Sequence, residues 1–573
     1  MAYLLRELDV LVIDCQASGA TPAYGELLEL GWAVCSARAL VGPVHSYWIA
    51  ARGKRRVPRA IRELTGWSER DDADAISEQD AFQRLRADMV RLLWPEAGAP
   101  TVIHYARFEL PFLRDLHERL GGGEPFPFDA VDLHTAAARL FPDLPRRNIR
   151  ALAGFLGHSP GLLRRSAGHV EASAFIWRAL LPHLESVGVF TWSELSLWLA
   201  EPVRTPRRDK RTFPLAPDKR KALPDRPGVY RFVRLHGDVL YVGKASSLKK
   251  RVASHFSSGA RATERGLEML TQVFDIRFTE TASILEAALL ETDEIKAIDP
   301  PYNVQLRSGE RCAWFAAHDL RDAVPLPDAD HRVGPLPSAR ALTPRAALIA
   351  LADGAVPTGK LLACALAVPA LVLPDDALFA EGWSMFLAEH LPAPTLSALR
   401  SCAEQPRAST RRRVDRAALA LWLQRGRKEL EPAADDEGEL ALWDLLRVRR
   451  RLERSLVQTG LLLRRARWLC LLADADIVYR ELGMQRARLL RLEHGQIVER
   501  ADLAAPAELT GVAARRPPSL LARKSAFDAA SYDRLRVLAT ELRRVSDEGG
   551  DLVVRIGAHV FTAQRLHSLT RGI

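Results

Sequence analysis

Residues 223–256 read LPDRPGVYRFVRLHGDVLYVGKASSLKKRVASHF, and residues 284–306 read ILEAALLETDEIKAIDPPYNVQL. GVYRFVR and DVLYVG are short runs rich in β-branched and aromatic residues. His236-Gly237 lies between them, so the pattern predicts a β-hairpin. A helix follows, with Lys249, Lys250, Arg251 and His255 on its polar face. A second helix begins near Ser283. It sets Leu285, Ala288 and Leu289 on one face and carries Glu291. Pro300-Pro301 stops that helix, and Tyr302-Asn303 comes just beyond.

These residues resemble the GIY-YIG nuclease domain, in the version found in the excinuclease UvrC and its shorter homologue Cho. Gly228-Val229-Tyr230 matches the first half of the family's name and Tyr241-Val242-Gly243 the second. Lys244, Arg251, His255, Glu291 and Asn303 fall at the family's further positions. A lone GVY means nothing; several motifs in the right order and spacing make a specific signal. The resemblance implies that Tyr230 is the general base and that Tyr241 shapes the site. It implies that His255 and Asn303 position water, phosphate or metal.

The residue types suit phosphodiester cleavage. A metal ion can act as Lewis acid and steady the leaving oxygen. A single carboxylate, Glu291, suits a hard, mostly hydrated Mg²⁺, with Mn²⁺ as its substitute. Arg251 can fork onto a phosphate. A tyrosine with a pKa of about 10 is a weak base at neutral pH, and a nearby cation favours its phenolate, which gives Lys244 an electrostatic use. The bland reading, a small α/β module with core tyrosines, leaves the Lys, Arg, Glu and Asn unexplained.

The whole chain has 573 residues, enough for three or four domains. Its net charge of +10 favours a polyanionic partner. Cys15, Cys35, Cys312, Cys364, Cys402 and Cys470 are scattered with no CxxC pair. That argues against a zinc or iron–sulfur site of close pairs and fits a reducing cytosol. No signal segment opens the chain. The longest apolar run, LLACALAVPALVLP at 361–374, is short and holds prolines. A soluble, cytoplasmic protein of bacterial type, associated with the nucleoid and not with membranes, is expected.

Residues 1–200 predict a sheet with surrounding helices: LDVLVID, ELLELGWAVC and HSYWIA as strands, then EQDAFQRLRADMVRLLW and HVEASAFIWRALLPHLES among the helices. IDCQASG, HYARFELPFL and VDLHTAAAR resemble motifs of the DnaQ-type DEDD 3′–5′ exonucleases, which have an RNase H-like fold. Such enzymes gather four carboxylates around two metals, with a histidine as base. Here Asp14 is present, Gln16 stands where the next acid belongs, and Glu109 replaces the second-motif Asp. The third-motif His and Asp align with Arg165 and Val170, and His169 and Glu171 fall out of phase. This implies a degenerate exonuclease fold kept for DNA binding or scaffolding.

Residues 201–222 read as a basic, proline-rich linker, with Arg207, Arg208, Lys210 and Arg211 as DNA-contact candidates beside Lys249 and Lys250. A solvated tether reads equally well. HRVGPLPSARAL at 331–342 resembles the segment that follows the nuclease module in UvrC-type proteins, making 307–344 an extension of 223–306. Residues 345–573 read as basic and mainly helical with short hairpins. Leu442, Leu445, Leu446, Leu452 and Leu456 form one stripe, Gly460 is the expected C-cap, and 487–503 and 550–564 are the hairpins. No second nuclease domain, UvrB-binding hairpin or tandem helix-hairpin-helix is recognisable there, which favours the single-incision Cho type.

The expectation is thus an α/β multidomain, metal-dependent endonuclease. It nicks DNA, damaged duplex above all, in nucleotide excision repair, with a UvrB-like damage-recognition helicase as a candidate partner. A proofreading-type 3′–5′ exonuclease with the GIY-YIG module as accessory is the alternative, and a non-catalytic DNA-binding adaptor the third. The first two differ in which set of catalytic groups is complete.

Overall fold

Residues 10–17 read VLVIDCQA and form β1 (Val10–Ala17), a strand buried along its whole length. A strand covered on both faces needs such a continuous apolar run. It sits at the centre of a five-stranded sheet of order β3-β2-β1-β4-β5, with β2 (Leu27–Cys35), β3 (Leu40–Trp48), β4 (Ala99–Ile103) and β5 (Phe128–Asp132). β1 runs antiparallel to β2 and parallel to β4, and β4 runs parallel to β5. Val10 and Val12 pack against the helix Ser166–Ser186 through Val170, Ala174 and Trp177. Leu11, Ile13 and Cys15 face the opposite layer, with Phe82, Leu85 and Leu113. Strand alternation therefore turns Asp14 and Gln16 toward the start of the Ser166–Ser186 helix.

The structure is a computed structural model. It describes all residues except 1–2, 54–56, 91, 93–97, 160, 162, 202–211, 258–262, 304–312, 318–321, 353, 370–371, 391–441, 506–517, 519–523, 525–526 and 563–573. The linker cations Arg207, Arg208, Lys210 and Arg211 lie outside the described residues. The chain divides into two compact units, one of 1–281 with 300–303 and one of 282–299 with 304–573.

In the first unit a second sheet has order β7-β6-β8, with β6 (Gly228–Val233), β7 (Val239–Ala245) and β8 (Asp275–Glu280). The hairpin is β6–β7, antiparallel as the sequence predicts. β8 pairs with the other edge of β6, and its mostly exposed residues explain why no apolar pattern announces it. This module packs on the exonuclease-fold part: Asn148 donates to Glu268 at 2.6 Å, and Phe155 stacks on Phe274 at 5.9 Å between ring centroids.

In the second unit a small sheet of order β10-β9-β11 comprises β9 (Trp314–Ala317), β10 (Ala323–Val324) and β11 (His331–Leu336). The two C-terminal hairpins are β13–β14 (Ala487–Glu493, Gln496–Leu503) and β15–β16 (Asp551–Ile556, His559–Thr562). His494 and Gly495 both take positive φ at the first turn, as a tight hairpin requires. β12 (Asp476–Arg480) joins the hairpins into one five-stranded antiparallel sheet, β14-β13-β12-β15-β16. The helix Leu445–Leu472 corrects the expected leucine stripe. Leu442 precedes it and is exposed, Leu446 is half-exposed, and the helix runs straight through a buried Gly460. Continuous packing from Leu452 to Leu472 overrides the helix-stop tendency of glycine. Several C-terminal arginines are also engaged internally: Arg449 with Glu389 and Glu453, Arg491 with Asp476 and Glu499, Arg555 with Asp476. Among the described residues no helix is long and apolar enough to cross a membrane.

Candidate active site

The two motif glycines have steric reasons. A Cβ on Gly228 would lie 2.3 Å from the Thr279 carbonyl oxygen of the neighbouring strand. A Cβ on Gly243 would lie 2.6 Å from the Tyr230 hydroxyl and 2.7 Å from the Tyr241 ring. Gly243 stands opposite Tyr230 in the ladder, and Tyr241 opposite Phe232, so the three aromatic rings share one face. Tyr230 is fully buried.

The helix Leu248–Phe256 is capped by Ser247, whose side chain accepts from the Lys250 N–H. It brings His255 to the aromatic face, where Tyr230 Oη and His255 Nε2 are 2.7 Å apart. Burial, aided by the charge of Arg251, lowers the His255 pKa to about 4. The ring is therefore neutral at neutral pH, and its Nε2 can accept the phenol proton in the Nδ1–H tautomer. Arg251 is exposed one helical turn before His255, beside exposed Lys249 and Lys250; Lys250 is 3.6 Å from Asp225.

Two expected roles change. Lys244 stands opposite Val229, one register position from the Tyr230–Gly243 pair. Alternation starts its side chain on the other face of the sheet, while His255 meets the Tyr230 hydroxyl directly. Asn303 is buried and clamps a strand: its Oδ1 accepts from Val242 N–H at 3.0 Å and its Nδ2 donates to Val242 C=O at 2.9 Å. This fixes the centre of Tyr241-Val242-Gly243 and makes Asn303 a positioning residue. Glu291 is half-buried on the helix Ile284–Ile298, which belongs to the second unit.

In the exonuclease-fold domain the structure brings Asp14, Glu109 and His169 together. His169 Nδ1 is 3.0 Å from Asp14 Oδ1, and its Nε2 is 3.3 Å from the Leu163 carbonyl. Both neighbours are acceptors, which favours the doubly protonated ring. Burial works against that charge, but the charge and hydrogen bond of Asp14 outweigh it and raise the pKa. This corrects the third-motif phase. Val170 is in the core and Arg165 reaches buried Glu29 at 2.6 Å, so the residue turned to Asp14 is His169. Glu109 accepts from the Cys15 N–H at 3.0 Å, while burial and Asp14 push its pKa well above the usual carboxylate range. Gln16 donates to the Arg164 carbonyl at 2.6 Å. Glu29, which sequence reasoning missed, also accepts from Ser166 N–H at 3.0 Å and Ser46 Oγ–H at 2.5 Å. A histidine whose charged form is favoured and a carboxyl whose neutral form is favoured thus stand at Asp14, while the Gln16 amide turns to the Arg164 carbonyl. Among the described residues no group of three or more His, Cys, Asp or Glu could hold a metal ion.

A family model, the UvrC-like GIY-YIG domain, matches residues 226–304. A Mycobacterium tuberculosis protein, provisionally named a bifunctional exonuclease/endonuclease, is 30% identical over 370 residues, covering 61% of this chain and 53% of that protein. The UvrABC system protein C of Alkalilimnicola ehrlichii is 47% identical over 102 residues, covering 18% of this chain and 16% of that protein. The chain thus spans about half the first relative's length and a small part of the second's. Among solved structures, the GIY-YIG N-terminal endonuclease domain of UvrC from Thermotoga maritima, bound to magnesium, is similar. It is 31% identical with a TM-score of 0.14, covering 15% of this chain and 93% of that one. The chain therefore carries a UvrC-like GIY-YIG domain at residues 226–304, preceded by a domain of exonuclease fold.

Proposed function

We propose that this chain is a metal-dependent DNA endonuclease of the UvrC/Cho type that makes a single-strand incision, acting on damaged duplex in nucleotide excision repair. The observation that carries the reading is the buried Tyr230–His255 pair, set over Gly243 inside the matched domain. Tyr230 is the base that takes the proton of the attacking water, and neutral His255 receives the phenol's own proton. Arg251, exposed on the same helix, holds a phosphate oxygen. Glu291 holds the metal. A half-buried carboxylate fits a Mg²⁺ that keeps most of its waters, and Mn²⁺ can replace it. When bound, the ion supplies Lewis-acid stabilisation of the leaving oxygen.

In this reading the exonuclease-fold domain, residues 1–200, is non-catalytic and serves to hold DNA. The module spans 223–306, with the basic linker at 201–222 and the extension at 307–344. Residues 345–573 are a further region, a UvrB-like helicase is the loading partner, and the cytoplasmic nucleoid is the place of action. The test is an end-labelled lesion duplex with Mg²⁺ or Mn²⁺, with and without such a helicase. One discrete nick is expected. A ladder of products from the 3′ end, lost in Asp14→Ala, points instead to exonuclease activity and overturns the non-catalytic reading.

DNA affinity is expected to fall steeply with salt, log Kd changing linearly with log salt as counterions leave the phosphates. Lys249→Ala and Lys250→Ala should each lower that slope by about 1. Fluorescence anisotropy between low and moderate salt reads this out, and a flat response shows that these cations only face solvent.

A further inference from the structure

The helix Ile284–Ile298, which carries Glu291, is held within the second unit by the C-terminal sheet and by the helix Ala529–Asp547. At its N-terminus the carboxylate of Glu481 accepts from two helix amides, Ile284 N–H at 3.1 Å and Leu285 N–H at 3.0 Å. Those amides have no partner inside a helix, and a negative charge there also suits the helix dipole. Glu481 is itself held by Arg544 at 2.6 Å. The Tyr479 hydroxyl meets the capping Ser283 hydroxyl at 2.7 Å, and Arg488 donates to Glu286 at 2.8 Å.

The other end is fixed separately. Arg534 donates to Asp293 at 2.8 Å, and Lys296 pairs with buried Asp533 at 2.7 Å. Between the ends, Leu285 and Leu289 are buried in the C-terminal core with Tyr479, Leu490 and Leu535. Glu291 comes two residues after Leu289, a rotation of about 200° around the helix, so it lies on the side away from that core. The contacts at both ends fix the helix along its axis, and the leucines fix its rotation. Together they set the direction in which Glu291 leaves the helix.

We propose that the C-terminal sheet is a positioning platform for the metal carboxylate, with Tyr479 and Glu481 as positioning residues for incision. This rests on the reading of Glu291 as the metal ligand. Groups hydrogen-bonded directly to a metal ligand are worth about 10- to 100-fold in affinity or activity, and Glu481 and Tyr479, acting through the helix, are expected at the lower end of that range. A platform that sets Glu291 therefore predicts a change in metal dependence beyond any change in folded fraction.

The test measures nicking rate against Mg²⁺ concentration, and Mn²⁺ binding directly by titration calorimetry, for the full chain and for Glu481→Gln, Tyr479→Phe, Asp551→Asn and Glu291→Ala. Circular dichroism melts run alongside to report the folded fraction. Glu481→Gln is expected to raise the Mg²⁺ needed for half-maximal rate by about 10-fold, with partial recovery at high metal. Tyr479→Phe keeps the ring and removes only the hydroxyl, so it carries the test if Glu481→Gln fails to fold, and it should shift the curve the same way. Asp551→Asn breaks an exposed pair with Arg480 on the same sheet and should leave the curve in place. Curves for Glu481→Gln and Tyr479→Phe that superpose on the parent's, or an equal shift in Asp551→Asn, overturn the proposal. Parent-like nicking by Glu291→Ala instead removes the metal-ligand reading on which it stands.

Discussion

Glu291→Ala abolishes nicking by the full chain and leaves DNA binding close to the parent's: that is the largest expected effect. In the proposed site Glu291 is the one carboxylate assigned to a hydrated ion, so no other assigned ligand shares its loss. An ion's Lewis-acid stabilisation is worth several kcal/mol in the transition state, and each 1.36 kcal/mol is tenfold, so a loss of roughly 10³-fold or more follows. Binding is carried by cations that contact phosphates, and removing an anion does not weaken it. Nicking of a labelled duplex at saturating Mg²⁺ and anisotropy in its absence separate the two. A variant that nicks at near the parent's rate ends the assignment of Glu291.

Tyr230→Phe is expected to lower the incision rate by about 10²- to 10⁴-fold, the usual range for removing a general base. The substitution keeps the ring against Phe232 and above Gly243, so the packing survives and only the proton acceptor goes. The hydroxyl's partner gives a second, independent readout. The folded-state pKa of His255 is about 4, below the unfolded value of about 6.5. As pH falls through that interval the unfolded chain takes up a proton that the folded chain refuses, so stability drops. Above the unfolded pKa the contribution is fully present. Urea melts at pH 4.5 and pH 7 should show the parent losing more stability on acidification than His255→Gln, which cannot titrate. Equal losses in the two proteins, or Tyr230→Phe cutting at the parent's rate across the neutral to mildly alkaline range, show that the pair is only structural.

The nuclease module was legible because its chemistry is local. Gly228, Tyr230, Tyr241, Gly243 and His255 lie on one strand–turn–strand–helix, and the spacing of that unit fixes which side chains meet. Lys244 shows the limit of spacing alone: it follows Gly243 directly, yet alternation turns it to the other face. The exonuclease-fold sheet was equally legible from its buried strands. Its third motif was not, because one residue of phase is about 100° of helix rotation and decides between Val170 in the core and His169 at Asp14. Glu29 and Glu481 gave no signal, since each is defined by partners far away in sequence, Arg165 for one and the amides of Ile284 and Leu285 for the other. The C-terminal hairpins were visible as turns, but nothing in β12 says that it will join them.

The Asp14–His169 ion pair restricts the mutational paths open to this domain. Regaining a metal-binding centre needs an acid at 169, and the first step toward it removes the cation that neutralises Asp14. A buried charge stripped of its partner costs about 3–5 kcal/mol, against a total margin of about 5–15 kcal/mol for a folded protein. The intermediate thus loses a large share of its stability margin while position 16 is still an amide, so selection for activity has nothing to act on. Drift that leaves the pair intact meets no such barrier. In the proposed non-catalytic reading, loss of the metal chemistry therefore behaves as a ratchet. Descendants of the chain are expected to vary at surface positions around the pair long before any of them recovers a catalytic centre there.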